Sequence, residues 1–393
     1  MDQHSIQSAL REEGVEAWLF CDFHRRDHVA RTVLNLPKGD WMTRRWYYLV
    51  PAEGRPMKLL HHIESAQLAS LPGDLRVYRG WADLHAKLRD MLAPYGAIAM
   101  QYSPLNQLPS VAMSDAGTIE LIRSFGHEVV SSANLVQRCD SRWSAEALET
   151  HLAAGRCIDN IVQETFAEIG RSIAGGKSAT EFAIQQFMAE RLACHGLISD
   201  SLPIVAASAH SGIPHYAPQP EGSSVIRAGD FVLLDVWAKY DKPGAVYYDV
   251  TWTGYAGSQP PERIEQVFRV VRDARDAAVR AVDDALQAGR VIRGYEVDRA
   301  ARSVIEDTGY GEFFVHRTGH SIGQSVHSNG ANMDDLETHD ERPIIPATCF
   351  SIEPGIYLPE FGIRSEVDVY VEPRGARITG AIQNEIVKIR TES

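Results

Sequence analysis

Apolar positions along the chain change rhythm several times, and each rhythm predicts an element. Ser5 to Gly14 reads as a short helix and Ala17 to Phe20 as a buried strand. Trp46 to Val50 is an aromatic and β-branched run, halted by the turn signal Pro-Ala-Glu-Gly-Arg-Pro. The polar stretch from Arg138 to Trp143 reads as a linker. From Ser144 the pattern becomes helical, with apolar side chains at Leu148, Leu152, Ile158, Ile161, Val162 and Ile169. Ser178 and Glu181 have the three-residue spacing of a capping box, in which each side chain satisfies the other's free N–H, and they predict the start of the next helix. Pro261 to Gly289 and Glu296 to Thr308 are two further helical stretches. This organisation predicts an α+β protein, with an α/β amino-terminal domain over residues 1–137 and a larger domain over 144–393.

Two segments break the helical pattern. Phe231-Val-Leu-Leu-Asp235 and Cys349-Phe-Ser-Ile-Glu353 are buried strands that each end in an acid. A second strand with a second acid follows each: Asp249 after a gap of 14 residues and Glu366 after 13. The result is a weak internal repeat of strand, turn and strand. Period-two alternation places Asp249 on one face with Tyr247 and Thr251, and Glu366 with Arg364 and Asp368. Isolated strand-end acids are ordinary surface features. Here the apolar runs before Asp235 and Glu353 would bury them, and a buried carboxylate is costly unless paired or bound to metal. Four acids converging on one site repel one another unless cations lie between them.

Composition narrows the partners. The 393 residues hold 39 Lys and Arg against 52 Asp and Glu, a net charge of −13. That balance argues against nucleic-acid binding and against anionic membrane surfaces. No apolar run is long enough to span a bilayer, and the polar first residues lack a signal-peptide core. The five cysteines contain no CxxC pair and read as reduced thiols of a cytoplasmic protein.

Between the two acid pairs lies His-Arg-Thr-Gly-His-Ser-Ile-Gly-Gln-Ser-Val-His, with His316, His320 and His327 around Gly319 and Gly323. A single histidine there would be structural. Three of them suggest a loop presenting imidazoles to a site. In this order of Asp, Asp, His, Glu and Glu, the chain resembles the pita-bread metallopeptidases, within them the Xaa-Pro dipeptidase (prolidase) and aminopeptidase P group. The segments LLDVWAKY, YYDVT, HRTGHSIGQSVH, SIEPGIY and GIRSEVD carry the likeness, with IPHYAP at 213–218. Residues 1–137 are similar to the creatinase-type amino domain in length and position.

The resemblance implies a pita-bread catalytic domain and two divalent metal ions, Mn²⁺ first, with Zn²⁺ or Co²⁺ as alternatives. Asp235 would bind one metal, Asp249 and Glu366 would bridge both, and His320 and Glu353 would complete the second site. Glu353 would also move the proton as a metal-bridging hydroxide attacks the peptide. His327 and His215 would act on the substrate or the tetrahedral intermediate, with His316, Arg364 and Tyr357 close by. Implied partners are short proline-containing peptides and a second copy of the chain in a homodimer. The sequence departs from the family in four places. Asp241-Lys-Pro-Gly244 lengthens the first turn, Trp252 replaces an arginine, Ser328 replaces an acid, and Arg342 alone is left to grip a peptide carboxylate in the 327–353 loop.

Competing patterns carry less. Gly319–Gly323 matches GxSxG, but too little chain follows Ser321 for the acid and histidine of a serine hydrolase. Gly175-Gly-Lys-Ser178 lacks the first glycine of a phosphate loop. Creatinase-like enzymes lack the full ligand set, methionyl aminopeptidases usually lack the large amino domain, and non-catalytic pita-bread binding modules have lost the ligands.

Overall fold

The computed structural model describes all residues except 1, 2, 38, 40, 41 and 393. It divides into two compact units, Met1–Ser141 and Arg142–Ser393.

The first unit is built on six strands: β1 (Ala17–Asp22), β2 (Trp46–Pro51), β3 (Met57–His61), β4 (Asp74–Tyr78), β5 (Ala97–Met100) and β6 (Glu128–Ser131). They lie in the order β4-β3-β2-β1-β5-β6. Central β1 is apolar on both faces. Trp18 and Phe20 pack on Leu10 and Val29, while Ala17 and Leu19 pack on Leu84 and Ile122, so helices cover both sides of the sheet. The stretch expected to be a free linker is folded. Cys139 and Ser141 are buried, and Arg138 pairs with Glu12 at 2.7 Å and Glu13 at 2.5 Å. The polarity of this stretch reflects ion pairing.

The second unit opens with the helix Ala145–Ala174, capped by Ser144, whose Oγ accepts the Ala147 N–H at 3.1 Å. The next helix, Glu181–Cys194, is capped by Thr180 rather than Ser178, with Oγ1 accepting the Ala183 N–H at 3.1 Å. Glu181 is freed from capping and turns into the core. Both halves of the sequence repeat appear as antiparallel strand pairs: Phe231–Tyr240 with Tyr248–Tyr255, and Cys349–Ile352 with Val367–Glu372. Glu366 itself precedes the last of these strands. Each pair carries two helices. Ala145–Ala174 and Glu181–Cys194 cover Val232, Leu234, Val236 and Val250. Glu262–Gln287 and Gly294–Asp307 cover Phe350, Ile352, Val367 and Val369. Two such halves facing one another form the pita-bread fold. The lengthened first turn does not dangle, since Val246 and Tyr247 bury with Trp143, Ile322 and Cys349 in a small core. Among the described residues no helix is long and apolar enough to cross a membrane.

Candidate active site and metal centre

Strand register explains how the acids meet. Asp235 pairs across the ladder with Thr251, and Trp237 with Asp249, so all four side chains share one sheet face. The apolar residues between them, Leu234, Val236 and Val250, fill the core on the opposite face. From the other half, Glu353 follows the Cys349–Ile352 strand. Glu366 reaches back to the first half, where its Oε2 accepts the Thr251 hydroxyl at 2.8 Å. Asp368 accepts the Asp249 N–H at 2.9 Å and stitches the two sheets together behind the acids.

His320 enters from the glycine-flanked loop. Its N–H is held by Ser351 Oγ at 3.0 Å, and that hydroxyl donates to Glu353 Oε1 at 3.2 Å. Gly319 permits this approach, because a Cβ there would lie 1.9 Å from the Ser351 carbonyl oxygen. With Nδ1 donating to the Ser321 carbonyl at 3.3 Å, the Nε2 lone pair faces Asp249 and Glu353, each at 3.5 Å.

Asp249, His320 and Glu366 are all buried, with ligand atoms within 4.8 Å of one another. Asp249 Oδ1 is buried without any hydrogen-bond partner. Burial first, and then the Asp235 charge, hold the Asp249 carboxyl well above its usual range. Burial followed by Asp249 does the same to Glu366. Burial lowers His320 and keeps it neutral. Converging carboxylates, an aimed lone pair and an orphaned oxygen are the donor set of a divalent cation, so these residues fit a metal. Asp235 stands apart from this triad because Arg364 Nη2 donates to its Oδ2 at 2.5 Å, leaving Oδ1 for a ligand.

Around the cluster lies a cavity of about 650 Å³, lined by His215, His316, His327, Arg317, Asp200 and Trp237 among others. His327 stacks edge-on against His320 at 4.2 Å. The neighbouring His320 ring, then burial, lower its pKa to about 3. His316 is also lowered to about 3, by burial and then Arg364. It donates from Nδ1 to the Arg317 carbonyl at 2.7 Å and accepts the Tyr357 hydroxyl at Nε2, also at 2.7 Å. Tyr357 in turn accepts from Arg364 at 2.9 Å.

The sequence profile described as metallopeptidase family M24 matches residues 149–373, more than half of the chain. The chain belongs to the metallopeptidase family M24. Curated M24-like relatives include the probable dipeptidase PepE of Mycobacterium bovis, 26% identical over 345 residues, 87% of this chain and 84% of that protein. The Xaa-Pro dipeptidase of Pyrococcus furiosus is 30% identical over 185 residues, 47% of this chain and 48% of its own. The solved dipeptidase PepE from Mycobacterium ulcerans shares the fold, with a TM-score of 0.69 over 98% of this chain and 96% of its own at 24% identity.

For this metallopeptidase the structure corrects one site expectation. Arg342 does not reach the cavity. It is buried against Asp340, at 2.6 and 2.9 Å, and donates to the Asn329 carbonyl at 2.8 Å. Its place in the 327–353 loop is set by Asp340, a fully buried acid that demands a cation. Two arginines line the cavity: Arg364, which is held by Asp235, and Arg317, which pairs with Glu337 at 3.7 Å. The position of Arg317 directly after His316 in the imidazole loop was the available signal. Tyr357 sits behind His316 and outside the cavity lining. Sequence reasoning also missed Asp200 and Trp237, whose positions follow only from the tertiary pairing. Ser321 is no nucleophile: it is buried, and its Oγ accepts the Gly330 N–H at 3.1 Å. Gly176, with φ of +66°, ends the first long helix, so Gly175–Ser178 is a helix stop.

Proposed function

We propose that this metallopeptidase is an Xaa-Pro dipeptidase working with two divalent metal ions, Mn²⁺ first. The observation that carries the reading is the cavity over Asp249, His320 and Glu366, with Arg317 in its wall. A cavity of about 650 Å³ suits a short peptide. Asp235, Asp249, His320, Glu353 and Glu366 would hold the metals. When bound, these ions would polarise the scissile carbonyl and lower the pKa of water.

The chain's own residues do the rest. Glu353 is the proton carrier. Burial raises its carboxyl, which His320 and Arg364 oppose, and a raised carboxyl can both take a proton and return it to the leaving amine. His327, held neutral first by its neighbour His320 and then by burial, offers an N–H to oxygen charge that develops on the substrate, with His215 in the cavity wall as a second donor. Arg364 fixes Asp235, and through Tyr357 it fixes the tautomer of His316. Arg317 would take the free carboxylate of a dipeptide in the role expected of Arg342. Proline after the scissile bond lacks an N–H and has a fixed φ, which ordinary peptidases accommodate poorly.

The test is hydrolysis of Leu-Pro beside a Leu-Pro-Xaa tripeptide, using chelator-stripped protein with and without Mn²⁺. Metal-dependent cleavage of Leu-Pro is the expected result. Cleavage of the tripeptide alone would make the enzyme an aminopeptidase P, and no cleavage of either by metal-loaded protein would refute the proline reading.

A further inference from the structure

The carboxylate of Glu181 is fully buried and takes no part in the chemistry above. Glu181 opens the Glu181–Cys194 helix, but Thr180 is the cap, so the acid is not spent on capping. A buried carboxylate must be surrounded by donors. Among the described residues, all of these donors come from residues 207–224. Oε1 accepts the Ala207 N–H at 2.7 Å. Oε2 accepts the Ser224 N–H at 2.8 Å and the Tyr216 hydroxyl at 2.7 Å. His210 Nδ1 donates to both oxygens, each at 2.9 Å. Two backbone groups at the ends of one segment and two side chains in its middle thus converge on a single residue. The His210 and Tyr216 rings also stack on one another, with centroids 4.3 Å apart. Burial first, and then Glu181, push the Tyr216 hydroxyl up to about 12, so it stays protonated and keeps donating.

The same segment presents His215 to the cavity. It contains the short turn Ser208–Gly212 but no strand, so no sheet ladder holds it between Ile204–Ala207 and Val225–Ile226. The His215 ring is exposed in the cavity wall, and its direction is set by the chain on either side. On one side the Pro214 carbonyl accepts Arg364 Nη1 at 3.3 Å, and Ser211 Oγ accepts the Gly362 N–H at 2.9 Å. On the other side Tyr216 is held by Glu181. His215 is therefore bracketed between the half of the fold that carries Glu366 and the half that carries Asp235.

We propose that Glu181 is a positioning residue, which clamps the 207–224 segment so that His215 meets the oxygen charge developing on the substrate. The proposal rests on the role given to His215 above. The clamp needs a carboxylate. A glutamine of the same size has one oxygen, so its amide NH2 would face either the Ala207 N–H or the Ser224 N–H. The Tyr216 hydroxyl can turn round and His210 can change tautomer, but a backbone N–H cannot become an acceptor. Glu181→Gln therefore loosens one end of the segment, while Asp235 and Asp249 stay on their own strands.

The test is a double-mutant cycle on metal-loaded protein with Leu-Pro, using wild type, Glu181→Gln, His215→Ala and the two combined. Glu181→Gln should lose about 10- to 100-fold in kcat, with KM within about threefold of wild type and the metal content unchanged. In the His215→Ala background the same substitution should cost less than about threefold, because the group it positions is gone. Equal losses in the two backgrounds would show a general structural role and overturn the proposal, as would Glu181→Gln with the wild-type kcat. If Glu181→Gln does not fold, Tyr216→Phe takes its place, since it removes one tether and leaves the carboxylate. A loss of about 3- to 10-fold confined to the background that has His215 is then expected, and any other pattern overturns the proposal. His215→Ala with undiminished kcat refutes the role of His215 and the proposal with it. Wild type that holds metal but does not cleave Leu-Pro refutes the proline reading alone, and the cycle is then judged by the same criteria on whichever dipeptide is hydrolysed.

Discussion

Replacing His151 with glutamine should remove an acid-sensitive part of the stability of the catalytic unit. His151 is fully buried on the Ala145–Ala174 helix. Its Nδ1 donates to the Tyr247 carbonyl at 2.6 Å and its Nε2 accepts the Thr379 hydroxyl at 2.7 Å. The neutral ring thus uses both nitrogens, and burial lowers its pKa from 6.5 to about 4, with Arg377 adding to the shift and the Tyr247 carbonyl opposing it. Because the folded pKa lies below the unfolded one, the unfolded chain binds the proton first as pH falls. The stabilisation is complete above pH 6.5 and is lost as pH falls through about 4. The linkage relation gives a loss of about 2 kcal/mol by pH 5 and about 3 kcal/mol once both states are protonated. Glutamine can keep a donor and an acceptor but cannot titrate. The assay is urea unfolding of chelator-treated wild type and His151→Gln at pH 7.5 and pH 5, so that metal release contributes to neither. Wild type should lose about 2 kcal/mol more than the variant between the two pH values. Equal losses would refute the argument that burial holds this ring neutral.

Gly319→Ala should fold yet lose about 100-fold in activity, because the new Cβ, 1.9 Å from the Ser351 carbonyl oxygen, must push His320 away from Asp249 and Glu353; activity and metal content measured on the same preparation check it. Asp249→Asn should bind less than half of the wild-type metal and give no thermal stabilisation on Mn²⁺ addition, read by elemental analysis and melting curves. Arg342→Ala should destabilise the protein by about 3–5 kcal/mol, since it strands the buried Asp340. Arg317→Ala should leave stability within about 0.5 kcal/mol and raise KM for Leu-Pro, the split being visible in parallel denaturation and kinetic measurements.

Residues whose role depends on local pattern were legible in the sequence. Asp235 and Glu353 end apolar runs, and Asp249 lies on an alternating strand, so burial and face follow from periodicity alone. The start of the long helix at Ser144 was equally clear. Ser178 was misleading, because Thr180 offers the same hydroxyl two residues later, nearer to where the helix begins, and spacing alone does not choose between them. Arg342 failed for another reason. Its partner Asp340 is only two residues away, and nothing in the local pattern reveals that this acid is fully buried. Asp200 and Trp237 were invisible, because their contact joins a loop to a strand 37 residues away.

The repeat explains why the acids end where they do. Each half buries one face of its strand pair under its own two helices, which leaves the opposite face of Phe231–Tyr240 and Tyr248–Tyr255 to meet the other half. Polar residues can persist on that inner face only if they satisfy one another. Thr251 does so by donating to Glu366 and accepting from Arg364. Asp368 does so with one oxygen only, Oδ2 taking the Asp249 N–H while Oδ1 stays buried without a partner. The inventory then runs out of cations. Arg364 neutralises Asp235, but Asp249 and Glu366 retain raised carboxyls and Asp249 Oδ1 has no partner. The same fold energetics that bring two halves together therefore leave a deficit of positive charge at their seam, which a divalent ion would make good.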